Sequence, residues 1–260
     1  MEFRLDGKRA LITGGSLGLG KGMAEAFTQA GAHVMIAARN ADRLEACADD
    51  MASRLNRAVQ WCAADVSTPD GCEALYAAAE EKLGGVDILI NNAGTAFRGP
   101  FEELTDADWQ ADFDLKVFAA IRLCRLAIPG MRARQWGRIM NVVSIGGKAP
   151  EAGAAPTVVS RAAGIALSKS LAGEVAKDGI TVNALCTGKI VSAQWVRNHK
   201  KRAPEKTYEE FMASVGAAAP IGRMGQPEEF AAMAQFLASP AASYITGTAI
   251  NIDGGLCPVV

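Results

Sequence analysis

The chain has 260 residues, of which 50% are hydrophobic and 21% charged, a globular composition that excludes a disordered or fibrous protein. Its 27 basic and 28 acidic side chains leave a formal net charge of −1. That excludes a nucleic-acid partner held through bulk positive charge, though not a local phosphate site. No apolar run reaches the roughly 18 to 20 residues that span a bilayer, so no membrane partner is expected. The opening MEFRLDGKRALITGG has a short apolar stretch that runs into glycines, and it is not expected to be a secretory signal. Six scattered cysteines without a C-x-x-C pair, and two histidines, predict neither a metal site nor a disulfide framework. A reducing cytoplasm is the expected location.

In chain order, Arg9 to Thr13 reads as a strand, followed by glycines and a helix to about Ala30, which Gly31 stops. His33 to Ala38 is a second strand, Leu44 to Leu55 a helix, and Val59 to Ala63 a third strand. Pro69 opens a helix to about Leu83, and Val86 to Ile90 is the fourth strand. One long helix is expected over about 106–134, then strands at Gly137 to Val143, Ile180 to Leu185 and Thr248 to Ile252. Helices are expected at about Pro156 to Lys177 and from Pro227 to about Ala238. This alternation predicts an α/β fold, doubly wound, with a parallel sheet covered by helices on both faces. One domain, residues 1–260, is expected. Residues 188–226 are charged and irregular, with RNHKKRAPEKTYEEF at their centre, and read as a substrate lid.

Thr13-Gly14-Gly15-Ser16-Leu17-Gly18-Leu19-Gly20 lies between a predicted strand and a predicted helix. Gly14 permits a tight turn, Gly18 lets backbone approach a pyrophosphate, and Gly20 lets the helix pack on the strand. The helix N-terminus then offers free N–H groups to phosphates. The second strand ends Ala37-Ala38-Arg39, with no acid between Gly31 and Asp42. A carboxylate there would bind the ribose 2′-hydroxyl of NAD, whereas Arg39 can pair with a 2′-phosphate, so NADP(H) is favoured over NAD(H).

These residues resemble the short-chain dehydrogenase/reductase family over nearly the whole chain. The glycine motif is similar to its TGxxxGxG, Asp65-Val66 to its adenine-contacting pair, and Asn91-Asn92-Ala93-Gly94 to its NNAG. Ile180-Thr181-Val182-Asn183 resembles its sixth strand, and Tyr244-Ile245-Thr246-Gly247 through Asp253-Gly254-Gly255 its C-terminal strand and oligomer surface. The resemblance implies a Rossmann domain with seven parallel strands, assembled as a homotetramer or homodimer, transferring hydride between NAD(P) and a carbonyl or alcohol. It implies cofactor contacts at Gly14, Ser16, Leu17, Gly18, Leu19, Gly20, Arg39, Asp65, Val66, Asn92, Ala93 and Gly94, and also at Arg161, Gly188 and Ile190.

The family works with Asn, Ser, Tyr and Lys. Ser144 matches the serine, but the Tyr-x-x-x-Lys motif reads Thr157-Val158-Val159-Ser160-Arg161, and the asparagine position is Lys116. The Pro-Gly after the sixth strand is Thr187-Gly188. Threonine has no accessible pKa, and Arg161 can fork hydrogen bonds to ribose hydroxyls but stays charged, so the family's proton path is broken. Ser144, Thr157 and Arg161 are expected to hold the carbonyl. Lys116 is the favoured replacement acid, since burial beside Arg161 would lower its pKa; the competing reading is a lysine paired with Asp112 or Asp114. His199 and Tyr208 in the lid are weaker candidates. Tyr76, Tyr244 and Cys186 are expected to be structural. Lys148 and Lys189 are candidate anion holders, and lid residues such as Trp195 and Phe211 suggest a partly hydrophobic substrate. The expected activity is NADP(H)-dependent reduction of a carbonyl, or of an enone. A dehydratase or lyase on the same fold, and a non-catalytic NADP-binding protein, are the alternatives.

Overall fold

The apolar runs pair as parallel strands from both directions. The computed structural model describes residues 3–260; Met1 and Glu2, which open the expected domain and the leading segment, lie outside the described residues. The strands are β1 (Arg9–Thr13), β2 (His33–Ala38), β3 (Val59–Ala63), β4 (Ile88–Asn91), β5 (Gly137–Ser144), β6 (Ile180–Thr187) and β7 (Ala249–Ile252). They form one sheet ordered β3-β2-β1-β4-β5-β6-β7, parallel at every pairing. The helices are α1 (Gly18–Gln29), α2 (Ala41–Leu55), α3 (Pro69–Leu83), α4 (Asp106–Phe113), α5 (Ala119–Ala133), α6 (Thr157–Val175), α7 (Ala193–Arg202), α8 (Tyr208–Gly216) and α9 (Pro227–Ala238). Among the described residues, no helix is long and apolar enough to cross a membrane.

Successive side chains of a strand point to opposite faces. On β1, Ala10 and Ile12 join Phe27 of α1, Leu44 of α2 and Phe230 of α9 in one core, while Leu11 joins Leu75 of α3, Leu123 of α5 and Val175 of α6 in the other. Each fully buried Leu, Ile or Phe contributes about 1.5–3 kcal/mol, and both faces need it because the strands are apolar on both sides.

Several elements depart from expectation, each for a local reason. Asn40 accepts a hydrogen bond from the Arg43 N–H at 2.8 Å, so α2 begins at Ala41 rather than Leu44. Gly84 and Gly85, at φ +76° and +134°, turn the chain just ahead of the fourth strand, which is ladder-paired from Ile88 instead of Val86. The long helix expected over 106–134 is split by a π turn, Asp114–Phe118. The segment 188–226 is not irregular throughout: it carries α7 and α8. In α8, Thr207 and Glu210 satisfy each other's backbone N–H groups, at 3.2 and 2.9 Å, in a capping box.

The strand order reverses between β1 and β4, and a crevice opens there beyond the carboxyl ends of the strands. At the opposite end of these strands, Asp87 is buried under two arginines. It accepts from Arg9 N (3.1 Å), Nε (2.7 Å) and Nη2 (2.7 Å) and from Arg134 Nε (2.9 Å).

Candidate active site

The crevice is built from the β1–α1 turn, the β4 end and the first turns of α6. Gly14 and Gly18 hold φ of +65° and +53°, left-handed backbone that suits glycine. A Cβ on Gly20 would lie 2.1 Å from the Gly14 oxygen, so the close helix–strand approach requires glycine there. Leu17 stands at the N-cap without a side-chain cap, so the first N–H groups of α1 remain available to an anion. Ser16 is buried and Leu17 exposed, on either side of this opening.

Thr13 and Asn92 stitch the two sides of the crevice together. The Thr13 hydroxyl accepts from Asn92 N and Ala93 N, both at 3.0 Å. The Asn92 amide donates to the Thr13 and Gly14 carbonyls at 2.9 and 3.1 Å. Asn92 therefore braces the cradle with its side chain. Arg39, exposed at the end of β2, acts by its charge on Asp65, whose carboxylate accepts from Ser67 Oγ at 2.7 Å; that bond, ahead of Arg39, holds Asp65 below the usual carboxylate range. Val66 is buried behind it. Gly188 donates its N–H to Ile252 at 3.0 Å, and Ile190 is buried at the root of the lid.

At the reaction end, α4, the π turn and α6 converge. Lys116 Nζ hydrogen-bonds Asp112 Oδ2, and donates to Thr157 Oγ1 at 2.9 Å. Thr157 Oγ1 also accepts from Phe97 N at 3.0 Å and lies 2.8 Å from Phe97 O and 3.3 Å from Asp112 Oδ2. Ser160 Oγ donates to Asp112 Oδ1 at 2.5 Å. Lys116 thus meets Thr157, a contact the sequence did not announce, and both alternatives for Lys116 hold together: it is paired with Asp112, and its pKa is lowered. Burial, then the charges of Arg161 and Arg98, outweigh the pull of Asp112 and bring it to about 8. Asp114 turns away, to Arg122 at 3.2 Å and Gln110 at 3.0 Å.

Arg161 donates from Nη1 to the Val142 carbonyl at 2.7 Å, while its buried Nε has no partner. Burial pushes it down to about 10, so it remains a cation at neutral pH. A narrow cavity about one water in size, lined by Asn91, Lys116, Asn141 and Arg161, lies behind it. Asn91 donates to Asn141 and Asn141 to Ser168, each at 2.8 Å, which ties β4, β5 and α6 together. Ser144 ends β5 opposite Thr187 of β6 and does not cap the 3-10 turn that follows it.

The lid candidates are not brought to this centre. His199 Nε2 sits 2.7 Å from the Lys206 oxygen and its ring packs on Tyr208 and Phe211 at 5.6 and 5.4 Å. Trp195 donates to the Ile190 carbonyl at 2.8 Å and packs on Phe211. Lid aromatics therefore face one another. Lys189 is tied to Val215 O at 3.3 Å, whereas Lys148 is half-buried with its charge acting on Cys186. Burial pushes the Cys186 thiol up to about 11 and raises the Tyr76 phenol further, which makes both poor proton donors or nucleophiles at neutral pH. Asp112 was expected only as a competing partner for Lys116, and Ser160 was expected in no role. The i,i+4 spacing of Asp112 and Lys116 is the sequence signal that points to the first; Ser160 stands inside the altered motif without one.

The model of a family described as Enoyl-(Acyl carrier protein) reductase matches residues 14–257. The chain is 37% identical over 257 residues to Nodulation protein G of a Rhizobium species, covering 99% of this chain and 100% of that protein. It is 34% identical over 254 residues to 3-oxoacyl-[acyl-carrier-protein] reductase of Vibrio cholerae, covering 98% and 99%. Among solved structures, L-sorbose reductase from Gluconobacter frateurii, complexed with NADPH and L-sorbose, superposes with a TM-score of 0.96 at 38% identity over 100% of both chains. Actinorhodin polyketide ketoreductase with NADPH superposes with a TM-score of 0.90 at 34% identity, covering 97% of this chain and 98% of that one.

Proposed function

The chain belongs to the short-chain dehydrogenase/reductase family, and we propose that it is an NADP(H)-dependent oxidoreductase in which Lys116, acting through Thr157, supplies the proton that a tyrosine gives elsewhere. The residues present fit the cofactor. The cradle of Gly14, Gly18 and Gly20 leaves room for a pyrophosphate at the α1 N-terminus, Arg39 suits a 2′-phosphate, and Arg161, in the lysine's place, is a cation whose guanidinium can donate to ribose hydroxyls. When bound, NADPH supplies a hydride to a carbonyl carbon. Ser144 polarises the carbonyl oxygen. The Thr157 hydroxyl rotates from Phe97 O to that oxygen and passes its proton on while Lys116 Nζ, 2.9 Å away, delivers another to Oγ1 in the same step, so that no threonine alkoxide forms. The ammonium must be protonated at the start of this relay, and near pH 7 it is.

The Lys116–Thr157 hydrogen bond at the former tyrosine position carries this reading. A Thr157 hydroxyl already engaged by Phe97, Lys116 and Asp112 favours the second one, a protein that binds NADP(H) without turnover. Calorimetric titration with NADPH and NADH, followed by turnover assays on L-sorbose, acetoacetyl-CoA and simple enones, separates the two. NADPH bound much more tightly than NADH, with oxidation of NADPH by a carbonyl, supports the first; binding alone supports the second.

Substrate class beyond a small, partly hydrophobic carbonyl compound rests on the lid and mouth. Phe97, 42% exposed beside Thr157, offers one apolar wall. A homotetramer or homodimer is supported by an open groove along α4 and the π turn, lined by half-buried Trp109 and Phe113 and by exposed Phe118, and by the fully exposed Tyr244. Six free cysteines favour a reducing cytoplasm.

A further inference from the structure

Asp112 belongs to no family motif, yet it touches three of the groups at the reaction centre. Its Oδ2 accepts from Lys116 and faces Thr157 Oγ1 at 3.3 Å, and its Oδ1 accepts from Ser160 at 2.5 Å. The Asp112 and Lys116 side chains are 2% and 1% exposed. An ammonium buried to this degree without a counter-ion sheds its proton. The other charged groups acting on Lys116 are Arg161 from α6 and Arg98 from the loop after β4, and both oppose its charge. Asp114, on the π turn itself, is engaged by Arg122 and Gln110.

We propose that Asp112 is a positioning residue: it keeps the proton on Lys116 and, held by Ser160, fixes the ammonium against Thr157. The inference rests on Lys116 as the acid of the proposed reaction. Its two halves separate. Charge on Asp112 retains the proton, and the placement of that charge, fixed from α6 by Ser160, sets the direction in which the proton leaves. Without the clamp, Lys116 would be a neutral amine at working pH and unable to serve as an acid.

The test is an NMR titration of lysine Cε and Nζ resonances in the isotope-labelled full chain, with Lys116 assigned by its loss in Lys116→Met. In Asp112→Asn the Lys116 midpoint falls by about one to three pH units. A folded Asp112→Asn whose midpoint does not move overturns the charge half. Asp112→Glu keeps the anion but displaces it by one methylene; its midpoint stays near that of the unaltered protein while turnover of acetoacetyl-CoA or L-sorbose falls at least about tenfold. Unchanged turnover in Asp112→Glu overturns the positioning half. If the midpoint falls in Asp112→Asn but the alkaline limb of kcat does not follow it, Lys116 is not the acid. The proposed reaction then fails, while the hold of Asp112 on the proton stands. If neither probe is turned over, the NMR midpoint decides the charge half by itself.

Discussion

Two buried carboxylates sit at opposite ends of the same strands, and their surroundings differ in one respect. Asp87, at the amino end, is gripped by Arg9 and Arg134 through four hydrogen bonds, and both arginines also donate to nearby backbone carbonyls. Asp112, at the carboxyl end, is shared among a lysine, a threonine and a serine, beside an arginine whose Nε has no partner. The first cluster is closed, and closure is what a stability element needs. The second holds an orphaned buried donor and a lysine of lowered proton affinity, which costs stability but leaves a proton free to move.

The sharpest way to break this contrast is Lys116→Met. Loss of a general acid should lower kcat by about 10²- to 10⁴-fold, read under saturating NADPH; a loss below tenfold would place the proton source elsewhere. Asp87→Asn comes next. It leaves two arginines without their carboxylate and should destabilise the fold by about 3–5 kcal/mol, measured from urea midpoints, with turnover per folded molecule unchanged. Arg39→Gln should weaken NADPH by roughly 10- to 100-fold, as befits one charged hydrogen-bonding group, and leave NADH binding nearly alone. Equal losses for both cofactors would remove Arg39 as the phosphate clamp.

The smallest expected effects are slopes in pH, and the two clusters give opposite windows. Burial alone would raise Asp87, but its bonds with Arg9 and the charges of Arg9 and Arg134 hold it below the ordinary carboxylate value. Its stabilisation is full above an unfolded value of about 3.9 and is lost as pH falls through the lower folded one. Lys116 binds its proton less tightly folded, at about 8, than unfolded, where an ordinary lysine titrates at 10.5. Between those values the unfolded state carries more protons, so this group adds stability as pH rises, by at most about 1.4 kcal/mol per unit. Urea midpoints across pH should lose the acid slope in Asp87→Asn and the alkaline slope in Lys116→Met.

The strands and the nucleotide cradle were legible because each is written locally: apolar runs for buried parallel strands, and glycines where backbone turns left-handed or a helix meets a strand. Thr157, Arg161 and Lys116 were legible as departures from a motif, and Lys116 does meet Thr157. The π turn was not, since the periodicity of 106–134 is helical throughout and the extra residue is fixed by contacts that cross to α6. The saturation of Thr157 by Phe97 comes from a loop sixty residues away. In the lid, the T-x-x-E of Thr207 and Glu210 announces α8, but α7 is too polar to show an apolar stripe, and its charges read as loop.

Gly94 ties the cradle to the altered motif. A Cβ there would stand 2.7 Å from Nη2 of Arg161. The glycine of the Asn-Asn-Ala-Gly motif and the guanidinium of the altered motif therefore share one small volume. A methyl group at 94 would push aside the tip of a flexible side chain and leave the backbone in place, so Gly94→Ala would be felt first in where Arg161 points.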